Sequence, residues 1–340
     1  MKSTFAKPYL RCPSCGAEDA LDLQAEAEDQ AEIRSGTLIC ERCHSRFTVE
    51  RGVADLLPES KTADYVRAEA DGLERFAELM RNDGWTRERI LELPYAQDGY
   101  WYVQAVALQQ LLDTVELKPG QTILDVGSNT CWAASQFAER GLKAIALDIA
   151  TVEYQGLYTA DFFFDAGRNH FERVLATMND IPIASSSLDY VFCCQVLHHN
   201  DLAELQKAMH EFFRILKPGG KLLVINETLK RVTDPSGVHI EGVEEFEGNE
   251  HAHWAWQYRW VAHRAGFRKA RTLLPIYHPI LQEHEVHLPI GTSSKQALRT
   301  AASYAMRHNR YSRRAIAEWL LTVKGPAQFS MVTTKPADAA

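Results

Sequence analysis

Two cysteine pairs near the start of the chain have the spacing of a metal site. The segments "CPSCG" and "CERCH" each hold two thiols in one tight turn, and 24 residues separate the pairs. Two such knuckles complete a tetrahedral all-sulfur shell suited to Zn²⁺. The predicted ligands are Cys12, Cys15, Cys40 and Cys43. A full shell leaves no position for substrate, so we expect a structural site, with four reduced thiols as the alternative.

A second group of residues lies in "TILDVGSNTCWAAS", where a buried strand enters a turn and then a helix. The turn contains Asp125, Gly127, Asn129 and Cys131. Glycine tolerates a positive φ and allows close approach of a ligand, and asparagine is the next-best residue for that conformation. A dinucleotide site needs G-x-G-x-x-G to hold a pyrophosphate. This turn lacks those glycines, so it favours a nucleoside ligand without phosphates.

Polar residues also follow the next strands. Asp148 ends the second strand, where an acid accepts hydrogen bonds from ribose hydroxyls. Gln195 and the pair His198 and His199 follow a later strand, and Glu227 ends "KLLVINE". Two of these residues have a plainer interpretation: a solvated loop acid for Asp148, and a helix cap for His199.

The elements that position these residues alternate between strand and helix from Lys118 onward. Buried strands such as "KAIALDIA" and "SLDYVFCCQVL" are separated by the helices "WAASQFAERG" and "DLAELQKAMHEFFRIL". This alternation predicts a doubly wound α/β sheet with ligands at the carboxyl ends of its strands.

With these motifs, residues 95–270 resemble a class I S-adenosylmethionine-dependent methyltransferase. The turn matches D-x-G-x-G-x-G with its last two glycines replaced, and "ILKPGGKLLVINE" matches the fifth-strand region. The resemblance implies a seven-stranded, mostly parallel Rossmann-like sheet and S-adenosyl-L-methionine as cofactor. It implies the following cofactor-binding residues: Asp125, Gly127, Asn129, Asp148, Met178 and Gln195. Thr177 replaces the usual acid near adenine, where Asn179 or Asp180 is the expected substitute.

The resemblance and the cysteines together predict five regions. Residues 1–58 are a small zinc ribbon similar to modules on some methyltransferases, 59–116 a helical linker or lid, and 117–274 the S-adenosylmethionine-binding core. Residues 275–326 are an inserted helical cap, and 327–340 are the last strand and tail. The segment "ELPYAQDGYWYV" fits either a lid over the cofactor or plain helix packing.

Methyl transfer to a protonated acceptor needs a positioned base. The candidate catalytic residues are His199, Glu227, His198 and His251, with His253 as a further imidazole. The cap adds acceptor candidates, namely Tyr277, His278, His284 and His287. Its "RHNRYSRR" stretch is either a solvated helix face or a site for an anionic ligand.

The bulk composition narrows the class of protein. A formal net charge of −8, and seven Lys and Arg against ten Asp and Glu in residues 1–57, disfavour a nucleic-acid partner. No apolar run predicts a signal peptide or membrane helix, so we expect a cytoplasmic protein. We predict methyl transfer to a small molecule, such as a sugar or natural-product intermediate. The alternatives are an rRNA or tRNA base methyltransferase and a non-catalytic S-adenosylmethionine binder, and a homo-oligomer remains open.

Overall fold

The computed structural model describes residues 1–29, 32–57, 64–96, 99–233, 251–273, 310–323 and 328–338. Its strands are β1 (Leu21–Glu28), β2 (Ile33–Cys40), β3 (Arg46–Glu50), β4 (Val53–Asp55), β5 (Thr122–Val126), β6 (Lys143–Asp148), β7 (Glu172–Leu175), β8 (Leu188–Cys194), β9 (Leu216–Thr228), β10 (Arg268–Leu273) and β11 (Gln328–Thr334). Its helices are α1 (Ala6–Tyr9), α2 (Asp64–Asn82), α3 (Arg87–Leu91), α4 (Gly99–Thr114), α5 (Trp132–Glu139), α6 (Ala160–Asp165), α7 (Leu202–Ile215), α8 (Ala255–Arg264) and α9 (Arg310–Thr322).

The core of the molecule is a seven-stranded sheet in the order β7-β6-β5-β8-β9-β11-β10. Strands β7, β6, β5, β8 and β9 pair in parallel, and β11 runs antiparallel between β9 and β10. All five residues of β5 are buried, as expected for a central strand covered on both faces. The predicted doubly wound, mostly parallel seven-stranded sheet is therefore confirmed.

The N-terminal strands differ from the expected separate head. Strands β1 to β4 form an antiparallel meander, and β4 then pairs in parallel with β7. Within the described ranges, one sheet of eleven strands results. Without this pairing β7 would be an edge strand, with backbone groups open to unwanted partners. The predicted boundary at residue 58 stays a prediction, but the ribbon is hydrogen-bonded into the core sheet.

Side chains on both sides of that junction pack into one hydrophobic cluster. Leu10, Cys12 and Leu38 from the ribbon share it with Ile181 and Ile183 from the core. The backbone N–H of residue 11 also donates to the carbonyl oxygen of residue 182 at 3.0 Å. The ribbon therefore supports the segment that follows residue 178.

Helices α2, α3 and α4 precede the core sheet and lie within residues 59–116, the region expected to be a helical linker or lid. Helix α9 lies within residues 275–326, the region expected to be a helical cap. The acceptor candidates Tyr277, His278, His284 and His287 lie outside the described residues. In the described part of the chain, no helix has the length and apolar character needed to span a bilayer.

Candidate active site

A cavity of about 750 Å³ opens at the carboxyl ends of β5, β6 and β8. It collects eight of the residues predicted from the sequence to bind the cofactor or act in catalysis. These residues are Asp125, Gly127, Asn129, Asp148, Met178, Gln195, His198 and His199. The predicted catalytic residues Glu227 and His251 do not line it. The volume lies within the range of pockets that enclose a nucleoside-sized ligand.

The turn after β5 has the left-handed conformations expected from its sequence. Gly127, Asn129 and Cys131 have φ values of 64°, 45° and 58°. A Cβ atom on Gly127 would lie only 2.8 Å from Cβ of Val196, so the turn and the loop after β8 touch at this glycine. Asparagine at 129 replaces a glycine because it tolerates this region of φ and ψ. Its side-chain amide donates to Gln155 at 2.6 Å.

Asp148 joins the same turn to the end of β6. Its Oδ2 atom accepts a hydrogen bond from the backbone N–H of Asn129 at 2.7 Å. Its Oδ1 atom accepts from the N–H groups of Ile149 and Ala150 at 2.8 and 3.1 Å. Burial raises the pKa of Asp148 to about 6, although these three bonds oppose the shift. Each carboxylate oxygen has two lone pairs, so Oδ2 retains one for a ligand.

Asp125 stabilises the turn after β5 through hydrogen bonds to the turn and to the start of α5. Its Oδ2 atom accepts from the hydroxyl of Ser128 at 2.8 Å and from the backbone N–H of Ala134 at 3.0 Å. Burial raises the pKa of Asp125 to about 7. These contacts tie β5 to the first turn of α5, and Asp125 also lines the cavity.

The loop after β7 supplies the other wall. Met178 and Asn179 line the cavity, and Nδ2 of Asn179 donates to Oδ1 of Asn200 and Oε2 of Glu204, both at 2.8 Å. The buried Oδ1 atom of Asn179 has no hydrogen-bond partner within the part of the chain that the structure describes. Asp180 points elsewhere and pairs with Arg11 at 2.8 Å. Of the two expected adenine acceptors, only Asn179 therefore reaches the cavity.

Of the four predicted catalytic residues, His198 and His199 line the cavity, whereas Glu227 and His251 do not. Glu227 is fully buried and accepts from the backbone N–H groups of residues 196 and 197 and contacts Nδ1 of His198 at 3.1 Å. It holds the loop after β8 in place behind the cavity. The backbone N–H of His251 donates to the carbonyl oxygen of His198 at 2.6 Å, outside the lining. His253 is buried against the carbonyl oxygen of Asn200 at 2.9 Å, and burial lowers its pKa.

Gln195 joins the cavity to α4. Its side-chain oxygen accepts from Nε2 of Gln104, whose own oxygen accepts from Asn226 at 2.7 Å and from Sγ of Cys194 at 3.1 Å. Gln104 also lines the cavity and is almost fully buried. Gln104 was not identifiable from the sequence, because a single glutamine in a helix resembles a solvated residue.

Helix α2 covers the outer side of the cavity. Its lining side chains are mostly apolar, and Trp85 and Trp101 continue this surface. The guanidinium of Arg89 stacks 4.0 Å from the ring centroid of Trp85. The α2 residues are Val66, Glu69, Gly72, Leu73, Phe76 and Met80. Trp101 belongs to the aromatic segment that fits either a lid or plain helix packing, and the lid stays a prediction.

The four predicted metal ligands converge at the base of the ribbon. All four sulfur atoms lie within 4.8 Å of one another. Sγ of Cys12 is 3.7 Å from Sγ of Cys43, and Sγ of Cys15 is 3.7 Å from Sγ of Cys40. Tetrahedral zinc with bonds of about 2.3 Å requires sulfur atoms about 3.8 Å apart. The thiols therefore fit a zinc ion.

Comparison with known proteins defines the class. Residues 124–224 match the family model described as a methyltransferase domain. This segment runs from β5 to β9 and contains the turn, Asp148 and the loop after β8. The central part of the chain is thus similar in sequence to a methyltransferase domain.

Curated relatives match the same region. The chain is 35% identical over 116 residues to the biotin biosynthesis bifunctional protein BioHC of Cellvibrio japonicus, covering 34% of this chain and 22% of the relative. It is 32% identical over 116 residues to a demethylmenaquinone methyltransferase of Renibacterium salmoninarum, covering 34% and 44%. The aligned region thus spans less than half the length of either relative.

A solved structure with a similar chain trace is the phosphoethanolamine N-methyltransferase 2 of Haemonchus contortus in complex with phosphomonomethylethanolamine and S-adenosylhomocysteine. It is 16% identical, with a TM-score of 0.46, and the match covers 81% of this chain and 61% of that one.

Proposed function

We propose that this protein transfers a methyl group from S-adenosylmethionine to a small-molecule acceptor. The observation that carries the proposal is the single cavity that joins the turn after β5, Asp148 and the loop after β7 beneath an apolar helix. When bound, S-adenosylmethionine supplies an activated methyl group, so the protein's contribution is positioning and exclusion of water.

The residues on the inner wall have the chemistry to hold an adenosine. Oδ2 of Asp148 retains a lone pair for a ribose hydroxyl. Oδ1 of Asn179 is a buried acceptor that suits the adenine amino group, and Met178 offers an apolar contact beside it. A buried acceptor without a donor is costly, so a bound donor at Asn179 would relieve that cost. We therefore assign adenine recognition to Asn179.

The outer wall favours a small acceptor over RNA. Leu73, Phe76 and Met80 face the cavity from α2, and Trp85 and Trp101 extend the same apolar surface. Such a wall suits a compact apolar body, whereas an RNA substrate needs a basic surface. The curated relatives include enzymes named for demethylmenaquinone and for malonyl-[acyl-carrier protein]. We propose a small-molecule acceptor, and an RNA base remains the alternative to be tested.

We assign a structural zinc ion to the four thiolates of the ribbon, because their spacing matches a tetrahedral sulfur shell. This set leaves no vacant position for substrate, so the ion would hold the ribbon together and take no part in methyl transfer. A cytoplasmic location and the oligomeric state stay predictions from the sequence alone.

Isothermal titration calorimetry with S-adenosylhomocysteine tests the cofactor assignment directly. We expect binding in the micromolar range and a concentration-dependent rise in melting temperature. The Asn179→Leu variant should weaken binding by about tenfold or more, since it removes the acceptor for the adenine amino group. Absence of any binding at 1 mM ligand would reject the proposal. RNA retained in a salt-dependent manner would support the alternative.

A further inference from the structure

A carboxylate on the covering helix meets an imidazole on the opposite wall of the cavity. Oε1 of Glu69, on α2, lies 2.8 Å from Nδ1 of His199, in the 3-10 turn Leu197–His199. The two side chains are only 14% and 25% exposed, and both line the cavity. The pair is at hydrogen-bonding distance, although the ring N–H is not aligned with the carboxylate oxygen. Catalytic hydrogen bonds often align only when substrate is bound.

The turn that carries His199 is fixed from behind. Glu227 accepts from the backbone N–H groups of Val196 and Leu197 at 3.0 and 3.1 Å and contacts Nδ1 of the neighbouring His198 at 3.1 Å. His198 is 1% exposed, so its ring is committed to this buried contact. Of the two adjacent imidazoles, His199 is the one whose acidic partner also lines the cavity.

A carboxylate beside Nδ1 has a defined effect on an imidazole. It holds the proton on Nδ1, leaves the lone pair on Nε2, and stabilises the imidazolium that forms when Nε2 takes a proton. Other ionisable groups surround the pair. They are His198, with its ring centroid 4.5 Å from that of His199, Asp201 in the same loop, His251 beside that loop, and Asp125, Asp148 and Arg89 in the cavity lining.

We propose that Glu69 and His199 form the general base of the methyl transfer, with His199 as catalytic residue and Glu69 as its positioning residue. This inference rests on the proposed function. The proton of the acceptor hydroxyl passes to Nε2 of His199 while the acceptor oxygen forms its bond to the methyl carbon. The bond from that carbon to sulfur breaks, and its electron pair stays on sulfur. The imidazolium then returns its proton to water.

The charged groups that line the cavity indicate which class of acceptor molecule can bind there. Among the residues that the structure describes, three carboxyl groups line the cavity, from Glu69, Asp125 and Asp148, together with the guanidinium of Arg89. An acceptor that enters as an anion would meet these carboxylates, and it would not need a base. The acceptor is therefore a neutral, hydroxyl-bearing molecule with an apolar body that packs against α2 and Trp101.

The first test is an NMR titration of the imidazole resonances in the intact protein without ligand, with His199 assigned through the His199→Gln variant. We expect Glu69→Gln to raise the acid dissociation constant of His199 by about tenfold or more, because it removes the adjacent negative charge. Glu74→Gln, an exposed position on the same helix, should leave that constant unchanged. An equal dissociation constant in wild type and Glu69→Gln would overturn the pairing.

The second test uses 2-naphthol as a neutral apolar hydroxyl probe in the presence of S-adenosylhomocysteine. We expect the wild type to bind it and to increase the naphtholate absorption band at pH 8, and Glu69→Gln and His199→Gln to lose that increase. Failure of 2-naphthol to bind at millimolar concentration, or an unchanged band in the variants, would refute the base or the acceptor class. If the wild type does not bind S-adenosylhomocysteine, the proposed function is refuted instead. The NMR titration without ligand would then still show whether Glu69 and His199 interact.

Discussion

Replacing Asp148 by asparagine tests the part of the site on which cofactor binding depends. The carboxylate accepts three backbone hydrogen bonds, from Asn129, Ile149 and Ala150. Two of them occupy Oδ1 and one occupies Oδ2, so the remaining lone pair on Oδ2 is the acceptor for a ribose hydroxyl. In the Asp148→Asn variant, an NH₂ group replaces one of these oxygens and cannot accept.

The expected loss follows from this count. A hydrogen bond to a charged group contributes about 1.5–3 kcal/mol, and about 1.4 kcal/mol corresponds to a tenfold change in Kd. Loss of one such bond therefore predicts an affinity for S-adenosylhomocysteine roughly 10- to 100-fold weaker. The variant should also unfold more easily, since one backbone N–H of the turn loses its charged partner.

The pH dependence gives the same test a second readout. Burial raises the pKa of Asp148 to about 6, so the ionised acceptor is lost as the pH falls through that value. At pH 5 about one tenth of the groups remain ionised, which predicts binding about tenfold weaker than at pH 7. Asp125, with a pKa raised to about 7, is already largely neutral below pH 6. The step between pH 6 and pH 5 should therefore disappear in Asp148→Asn.

Calorimetry at pH 5, 6, 7 and 8 measures both effects. The matched control is Asp189→Asn, which alters another acid that binds backbone and side-chain donors, here N and Oγ1 of Thr122, both at 2.9 Å. Asp189 is the second residue of β8 and does not line the cavity, so its substitution should lower stability and leave the affinity unchanged. If Asp148→Asn remains folded and binds S-adenosylhomocysteine as tightly as wild type at pH 7, the ribose assignment is wrong.

Three further predictions concern the turn, the metal and the buried acid. Gly127→Ala should weaken S-adenosylhomocysteine binding by about tenfold or more, because residue 127 has a positive φ and the added Cβ would collide with Val196. The control is Gly120→Ala, which also has a positive φ but open space around it, and which should change only the stability, by about 1 kcal/mol. Equal affinities of the two variants in calorimetry would contradict this prediction. Metal analysis should find about one zinc per chain. Removal of the zinc with a strong chelator, or the Cys40→Ser substitution, should lower the melting temperature by several degrees. A metal-free protein with unchanged stability would reject the zinc site. Burial raises the pKa of Asp125 to about 7 from 3.8, so between these values the native state retains a proton that the unfolded chain has lost. The free energy of unfolding should therefore fall by about 2 kcal/mol from pH 5 to pH 7. Urea unfolding should show a smaller fall in Asp125→Asn, and parallel pH profiles of the variant and the wild type would refute the assignment.

Local patterns in the sequence were sufficient to predict the core sheet and the conformation of the turn after β5. The buried run of β5 and its exit through Gly127 follow from residue type alone, because a positive φ restricts which side chains fit. The left-handed conformation of Asn129 follows from the same rule. The position of Asp148 in the cavity lining was predictable because ligands lie at the carboxyl ends of parallel strands in this fold.

Residues that act through distant contacts were not identifiable in the same way. Glu69 lies on an amphipathic helix with many charged residues, where one glutamate resembles any solvated residue. Glu227 looks like a catalytic acid at the end of a strand, yet it is buried and bound to the loop after β8. A sequence pattern reports which face of an element is apolar. It does not report which other element approaches that face.

The sequence alone determined the strand-and-helix alternation, the glycine turn and the four thiols, since each depends on neighbours within a few residues or on fixed spacing. Only the tertiary structure decided that β4 extends the sheet at β7, that Asn179 rather than Asp180 reaches the cavity, and that Glu69 faces His199. The physical reason is that hydrogen bonds and charge pairs act over about 3 Å, and the chain brings residues more than a hundred positions apart within that distance only when it folds.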